Sequence, residues 1–174
     1  MIRVQLSEDQ YRRAAGYSDR VEGIVRGRFN YTQLITKDRY KIGALGEMAL
    51  VEVLKRRRIK FEMELRADGF ADEYDVIVWR GGVRKNVDVK TAGKPKDELC
   101  AMPEAQFQKR RQHDEYVGAR LQWDHVELIS WATRPEVETW EVKVIKQDGI
   151  LTRCASMAGM RSIMAFFLDL EELS

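Results

Sequence analysis

The chain has little of what staples, breaks or anchors a fold. Its two cysteines, Cys100 and Cys154, stand far apart without metal-ligand spacing. That excludes a disulfide framework or a cysteine-rich zinc site and favours a reduced, intracellular setting. No apolar run approaches the roughly 18 residues that a membrane-spanning helix needs, so no membrane partner is expected. The opening residues, Met1-Ile2-Arg3-Val4-Gln5-Leu6-Ser7-Glu8, turn polar at once. No secretory leader is therefore expected, and the chain reads as cytoplasmic. Histidine is scarce: His113 and His125 have no partner at ligand spacing and draw no catalytic role. Surplus charge is missing too. The 30 Lys and Arg residues against 28 Asp and Glu leave a net charge of +2, too small to announce a nucleic-acid binder by charge alone.

What remains is the composition of an ordinary globular protein, 44% hydrophobic and 33% charged over 174 residues. That length fits one domain, 1–174, with its own core. The strongest local signal lies at 74–91, where two short β-branched runs flank Gly81 and Gly82. A two-residue glycine loop between such runs predicts a β-hairpin. If those glycines are the loop, Asp75 lies directly opposite Asp88 and Glu73 opposite Lys90. Directly opposed side chains stand roughly 5 Å apart, and like charges placed so are destabilising. A cation between the two carboxylates resolves the conflict, and Mg²⁺ suits one or two carboxylates plus water and phosphate. Asp88 and Lys90 share one face of their strand, while Val87, Val89 and Thr91 share the other. The bland reading of that face is an exposed salt bridge between Lys90 and Glu73, which leaves the two aspartates unexplained.

Elsewhere the pattern is coarser. Ser7 reads as the N-cap of a helix over about 7–15. Residues 16–38 read as irregular, and a helix rich in Ala, Leu, Met and Glu spans about 41–57. A strand is predicted at 60–65, a turn at 67–71 and a loop at 93–97, followed by a helix over 104–119. Strands follow at 125–131 and 138–146, then a turn at 147–151 and a closing helix over 157–173. Gly43 and Gly46 weaken the 41–57 helix and suggest close backbone approach, to the sheet or to DNA. Arg56, Arg57 and Arg58 either complement the end of that helix or contact phosphate. Trp79, Trp123, Trp131 and Trp140 read as packing residues, an exposed one being able to stack on a base.

An acidic residue on one hairpin strand and an acidic-x-Lys triplet on the other resemble the core of the PD-(D/E)XK nuclease superfamily. The match covers about 41–133. Gly46-Glu47-Met48-Ala49 matches the Gly-Glu-x-Ala context in which many members carry a helical glutamate, and Glu52 is a weaker rival for that role. Tyr74 stands where the superfamily's name has proline. The resemblance implies a restriction endonuclease-like α/β (α+β) fold. Its αβββαβ core has a mixed central sheet flanked by helices, here with an extension over 1–40 and a C-terminal strand and helix over 138–174. It implies Glu47, Asp75, Asp88 and Lys90 as catalytic residues. Glu47, Asp75, Asp88 and the Val89 carbonyl would hold Mg²⁺, with Mn²⁺ as a substitute. A glutamine on a downstream helix is common in the superfamily, which points to Gln106 and Gln108. Lys109, Arg110, Gly43 and Gly46 are further candidates for the substrate side.

The implied activity is metal-dependent hydrolysis of DNA phosphodiester bonds in DNA processing, recombination, repair or viral replication. With no zinc finger and no helix-turn-helix pattern, structure-directed or weakly sequence-specific cutting of duplex or branched DNA is expected. RNA stays open as a substrate, and a homodimer is implied by analogy alone. The alternative is a catalytically silent nuclease-fold protein that binds nucleic acid or a protein partner.

Overall fold

The computed structural model describes residues 1–28, 37–63, 76–96, 98–108, 113–144 and 149–172. In chain order these form β1 (Ile2–Val4), α1 (Glu8–Arg28), α2 (Lys37–Arg56), β2 (Phe61–Glu62), β3 (Val76–Arg80) and β4 (Val83–Ala92). Then come β5 (Leu99–Pro103), α3 (Glu104–Phe107), β6 (Glu115–Leu121), β7 (Val126–Thr133), α4 (Arg134–Glu138) and β8 (Glu141–Val144). The chain closes with β9 (Leu151–Ser156), a 3-10 turn, β10 (Arg161–Ser162) and α5 (Ile163–Glu172). The protein is thus α+β. A mixed central sheet runs in the order β1-β7-β6-β4-β3-β2, with β10 beside β1 along the outer edge of β7. Only β4 and β6 pair in parallel in this sheet. A second, smaller sheet has the order β5-β9-β8.

The hairpin forms in the expected register. Val76 faces Val87 and Arg80 faces Val83. Gly81 and Gly82 both have positive φ, 55° and 76°, the conformation a two-residue hairpin turn of type I′ demands. Asp75 and Glu73 lie outside the described residues.

Alternation along β4 and β6 gives the central sheet two different faces. Val87, Val89, Val117, Ala119, Val126 and Leu128 pack against α2, whose Leu45, Met48, Leu50 and Leu54 are buried. Trp131 continues this layer beneath Phe166 of α5, ring centroids 5.5 Å apart. On the opposite face, Tyr116 and Ala132 pack against Met102, Phe107 and Val137 from β5, α3 and α4. The Asp88 and Lys90 face is therefore roofed by the small sheet.

Several boundaries differ from those predicted. The first helix runs on to Arg28 instead of ending near 15. A reciprocal cap fixes its start: Gln10 N donates to Ser7 Oγ at 3.3 Å, and Ser7 N donates to Gln10 Oε1 at 2.7 Å. Its contact along α2 outweighs the Gly16 that suggested a break. The helix predicted over 104–119 is mostly wrong. Only Glu104–Phe107 is helical, and Glu115–Leu121 is a strand. Buried on both faces from 115 to 119, β6 lacks the alternation that would have marked it. Strands β5 and β9 and helix α4 were also not anticipated, and the closing helix is shortened to Ile163–Glu172. No helix among the described residues is long and apolar enough to cross a membrane.

Candidate functional site

Strand β4 sets Asp88 and Lys90 side by side, two residues apart on the roofed face. Lys90 Nζ lies 2.7 Å from Asp88 Oδ2. The Asp88 side chain is 4% exposed and the Lys90 side chain 17%, so both are largely shielded from water. Tyr116, directly across on β6, has its hydroxyl pushed up to about 12 by burial and by the Asp88 charge, against opposing pulls from Arg134 and Lys90. It stays protonated and able to donate a hydrogen bond. The Cys100 thiol on β5 is likewise pushed up to about 12 by burial, which makes it an inert wall and not a nucleophile.

His113 joins this cluster, its Nδ1 3.6 Å from Asp88 Oδ2 and its ring edge-on to Tyr116 at 6.0 Å. Sequence reasoning gave it no role, because nothing in its spacing links it to Asp88. The parallel pairing of β4 with β6 brings them together. Asp114 locks that entry: its Oδ2 accepts from Asn86 N at 2.8 Å, and its own N–H donates to Asn86 O at 2.9 Å.

The helical glutamate feels the charges of the same pair. Burial raises the Glu47 carboxyl to about 7; the Asp88 charge adds to the rise and Lys90 pulls against it. Both β4 residues thus act electrostatically on the same helix position. Gly46 explains how close α2 lies to β4. A Cβ there would overlap Thr91 Oγ1 and stand 3.1 Å from Thr91 Cβ and 3.2 Å from Val89 Cγ1. Only a glycine lets α2 lie this close to β4. The close approach suggested for both glycines is found at Gly46; at Gly43 a Cβ would meet open space. Gly46→Ala should therefore cost about 1–3 kcal/mol through overpacking, read from urea denaturation. Thr91→Ala in the same chain should recover much of the loss, because it removes the buried Oγ1, which has no hydrogen-bond partner among the described residues. Equal losses with and without Thr91→Ala would place the strain elsewhere.

The remaining candidates separate. Glu52 is held by Arg56, Oε1 to Nε 2.9 Å, so it is a helix-surface pair. Arg57 bridges to Glu171 at 2.7 Å and lies over the Phe167 ring, tying α2 to α5. Arg58, with φ 59°, caps the helix in the left-handed region. The structure gives these residues fold-holding work. Gln108 Nε2 donates to Glu104 Oε1 at 2.7 Å along one exposed turn, and Gln106 is half-buried on the same turn. Asp75, Lys109 and Arg110 lie outside the described residues.

Among the described residues, no group of three or more His, Cys, Asp and Glu side chains is arranged to hold a metal ion. Glu47 and Asp88 nevertheless suit a hard cation. Both are carboxylates, their mutual repulsion contributes to the raised Glu47 pKa, and a divalent ion would relieve it. Compared with protein-family models the chain matches none, and no curated protein matches it significantly. The geometry of the site carries the functional reading.

Proposed function

We propose that the chain is a metal-dependent nuclease of the PD-(D/E)XK type, hydrolysing phosphodiester bonds in DNA. The observation that carries this reading is the Asp88 and Lys90 pair, with Glu47 under the influence of both charges. The first two share one buried face of β4, and the third stands on the helix that Gly46 presses against the same strand. The order of elements supports it: α2, then β2, β3 and β4, then β5 with the short α3, then β6 parallel to β4. That order resembles αβββαβ with β5 inserted before the short helix.

In this reading Glu47, Asp88 and the Val89 carbonyl would hold Mg²⁺ or Mn²⁺, with Asp75 as the further ligand implied by the resemblance. Such an ion would supply a bound water of lowered pKa and polarisation of the phosphate. The chain's own residues do the rest. Asp88 orients Lys90 through their 2.7 Å contact, and Lys90 would offer its ammonium to developing negative charge. Tyr116, kept protonated, lends a neutral wall behind the carboxylate. The net charge of +2 fits a substrate gripped through few phosphates, hence a shallow dependence of binding on salt.

The test is cleavage of linear duplex, single-stranded, supercoiled and four-way-junction DNA with Mg²⁺ or Mn²⁺, comparing wild type with Lys90→Ala. Metal-dependent cutting by the wild type that falls at least about a hundredfold in the variant is expected, the scale for losing one charge-stabilising donor. Absence of cutting by the wild type with either metal, while it still binds DNA, would transfer the reading to a silent nucleic-acid-binding relative.

A further inference from the structure

Strand β8 is the outer edge of the small sheet, and all four of its residues are exposed. Among the described residues no strand pairs with its free side. An exposed edge is a template for another chain, and proteins usually blunt it with charge. Here the charges are arranged to invite one particular partner. Glu141 and Lys143 stand symmetrically about Val142, with opposite signs.

We infer that β8 pairs antiparallel with the β8 of a second copy, about a two-fold axis through Val142. In this register Val142 faces its own counterpart, and each Glu141 faces the Lys143 of the other copy. Opposite charges directly across a strand pair attract, and aliphatic side chains across it pack. The pattern is self-complementary, as a two-fold contact requires. Within one copy Lys143 Nζ already lies 2.6 Å from Glu141 Oε2, so pairing turns one bridge into a ring of four alternating charges. Val142 at 39%, Val144 at 52% and Leu151 at 56% exposure form a run of apolar surface along the β8 and β9 hairpin, because Val144 pairs with Leu151. Two such hairpins brought edge to edge join both small sheets into one continuous sheet. A register shifted by one residue would set Glu141 opposite Val144 and lose both charge pairs. This surface lies outside the Asp88 and Lys90 cluster, so the inference stands apart from the proposed chemistry.

The experiment is sedimentation equilibrium over a concentration series, with circular dichroism as a check that each variant folds. Wild type should show a monomer-dimer equilibrium. Glu141→Lys, which makes the ring all positive, should weaken it about tenfold, the scale of two like-charge cross-strand pairs. The double reversal of Glu141→Lys with Lys143→Glu should restore it, since the symmetry survives the exchange of signs. Val142→Cys should form a covalent dimer under mild oxidation, whereas Val144→Cys, displaced along the strand from its counterpart, should not. A wild type that is monomeric throughout the micromolar range overturns the inference. So does a double reversal that stays as weak as the single one, or cross-linking of equal efficiency at 142 and 144.

Discussion

Asp88→Asn is expected to lower metal-dependent DNA cleavage by about a thousandfold or more, equivalent to about 4 kcal/mol of barrier. The substitution is nearly isosteric. The amide oxygen can still accept from Lys90, whose Nζ lies 2.7 Å from the present Oδ2, so the β4 geometry should hold. What disappears is the charge. On the proposed reading, one of two described carboxylates would be lost as a cation ligand, and the partner that fixes Lys90 as a charged donor is weakened. Binding of Mn²⁺, followed by calorimetry, should fall in parallel with activity. Thermal unfolding should shift by no more than the roughly 1 kcal/mol expected of one altered hydrogen bond. Cleavage within tenfold of wild type would remove Asp88 from the catalytic machinery. Loss of activity together with collapse of the fold would show a structural carboxylate instead.

Glu47→Gln should make the apo protein more stable at alkaline pH while abolishing cleavage. The Glu47 carboxyl titrates near 7 in the folded chain against an ordinary value of 4.5. Below pH 4.5 it is protonated in both states and contributes no difference. Between 4.5 and 7 the unfolded chain gives up the proton and the folded one retains it, so the unfolded state gains and stability falls. Above 7 the loss levels off, at on the order of 3 kcal/mol. Glutamine carries no titrating proton and should flatten that slope. The quantity to measure is the difference between wild-type and variant urea midpoints across this pH range, which cancels every other titrating group. Adding Mg²⁺ at pH 8 should stabilise wild type and leave the variant nearly unmoved. A difference that does not change with pH would mean that Glu47 titrates as an ordinary surface carboxylate.

The legible parts of this chain are those fixed by local chemistry. Gly81 and Gly82 accept positive φ, so they fix the turn and with it every facing pair from Val76 to Arg80. The α2 helix announced itself through a run rich in Ala, Leu, Met and Glu, of which Leu45, Met48, Leu50 and Leu54 are buried. The residues around β6 were misread because helix-forming Glu104, Ala105 and Gln106 lead into a strand buried on both faces, where periodicity disappears. Helix α4 was missed although its signals were present: Glu136 Oε2 accepts from Thr133 N at 2.7 Å and from Thr133 Oγ1 at 2.8 Å, and Pro135 falls in the first turn. In the candidate site, Asp88, Lys90 and Glu47 were visible because each lies inside a motif. His113 and Tyr116 were not, since their place beside Asp88 depends on which strand β4 takes as its parallel neighbour.

That parallel pairing also sets a timetable for folding. The β3 and β4 hairpin closes through two residues, a microsecond event. Joining β4 to β6 must bring 87–92 beside 115–120, after the crossover that carries β5 and α3 has been laid over the sheet. Non-local contacts of this kind are slow to form. Asp88 and Lys90 are therefore expected to acquire their strand before β6 delivers Tyr116 and His113. Refolding followed by stopped flow should show hairpin-like β signal appearing before protection of the β6 amides. Catalytic competence should follow the slower step.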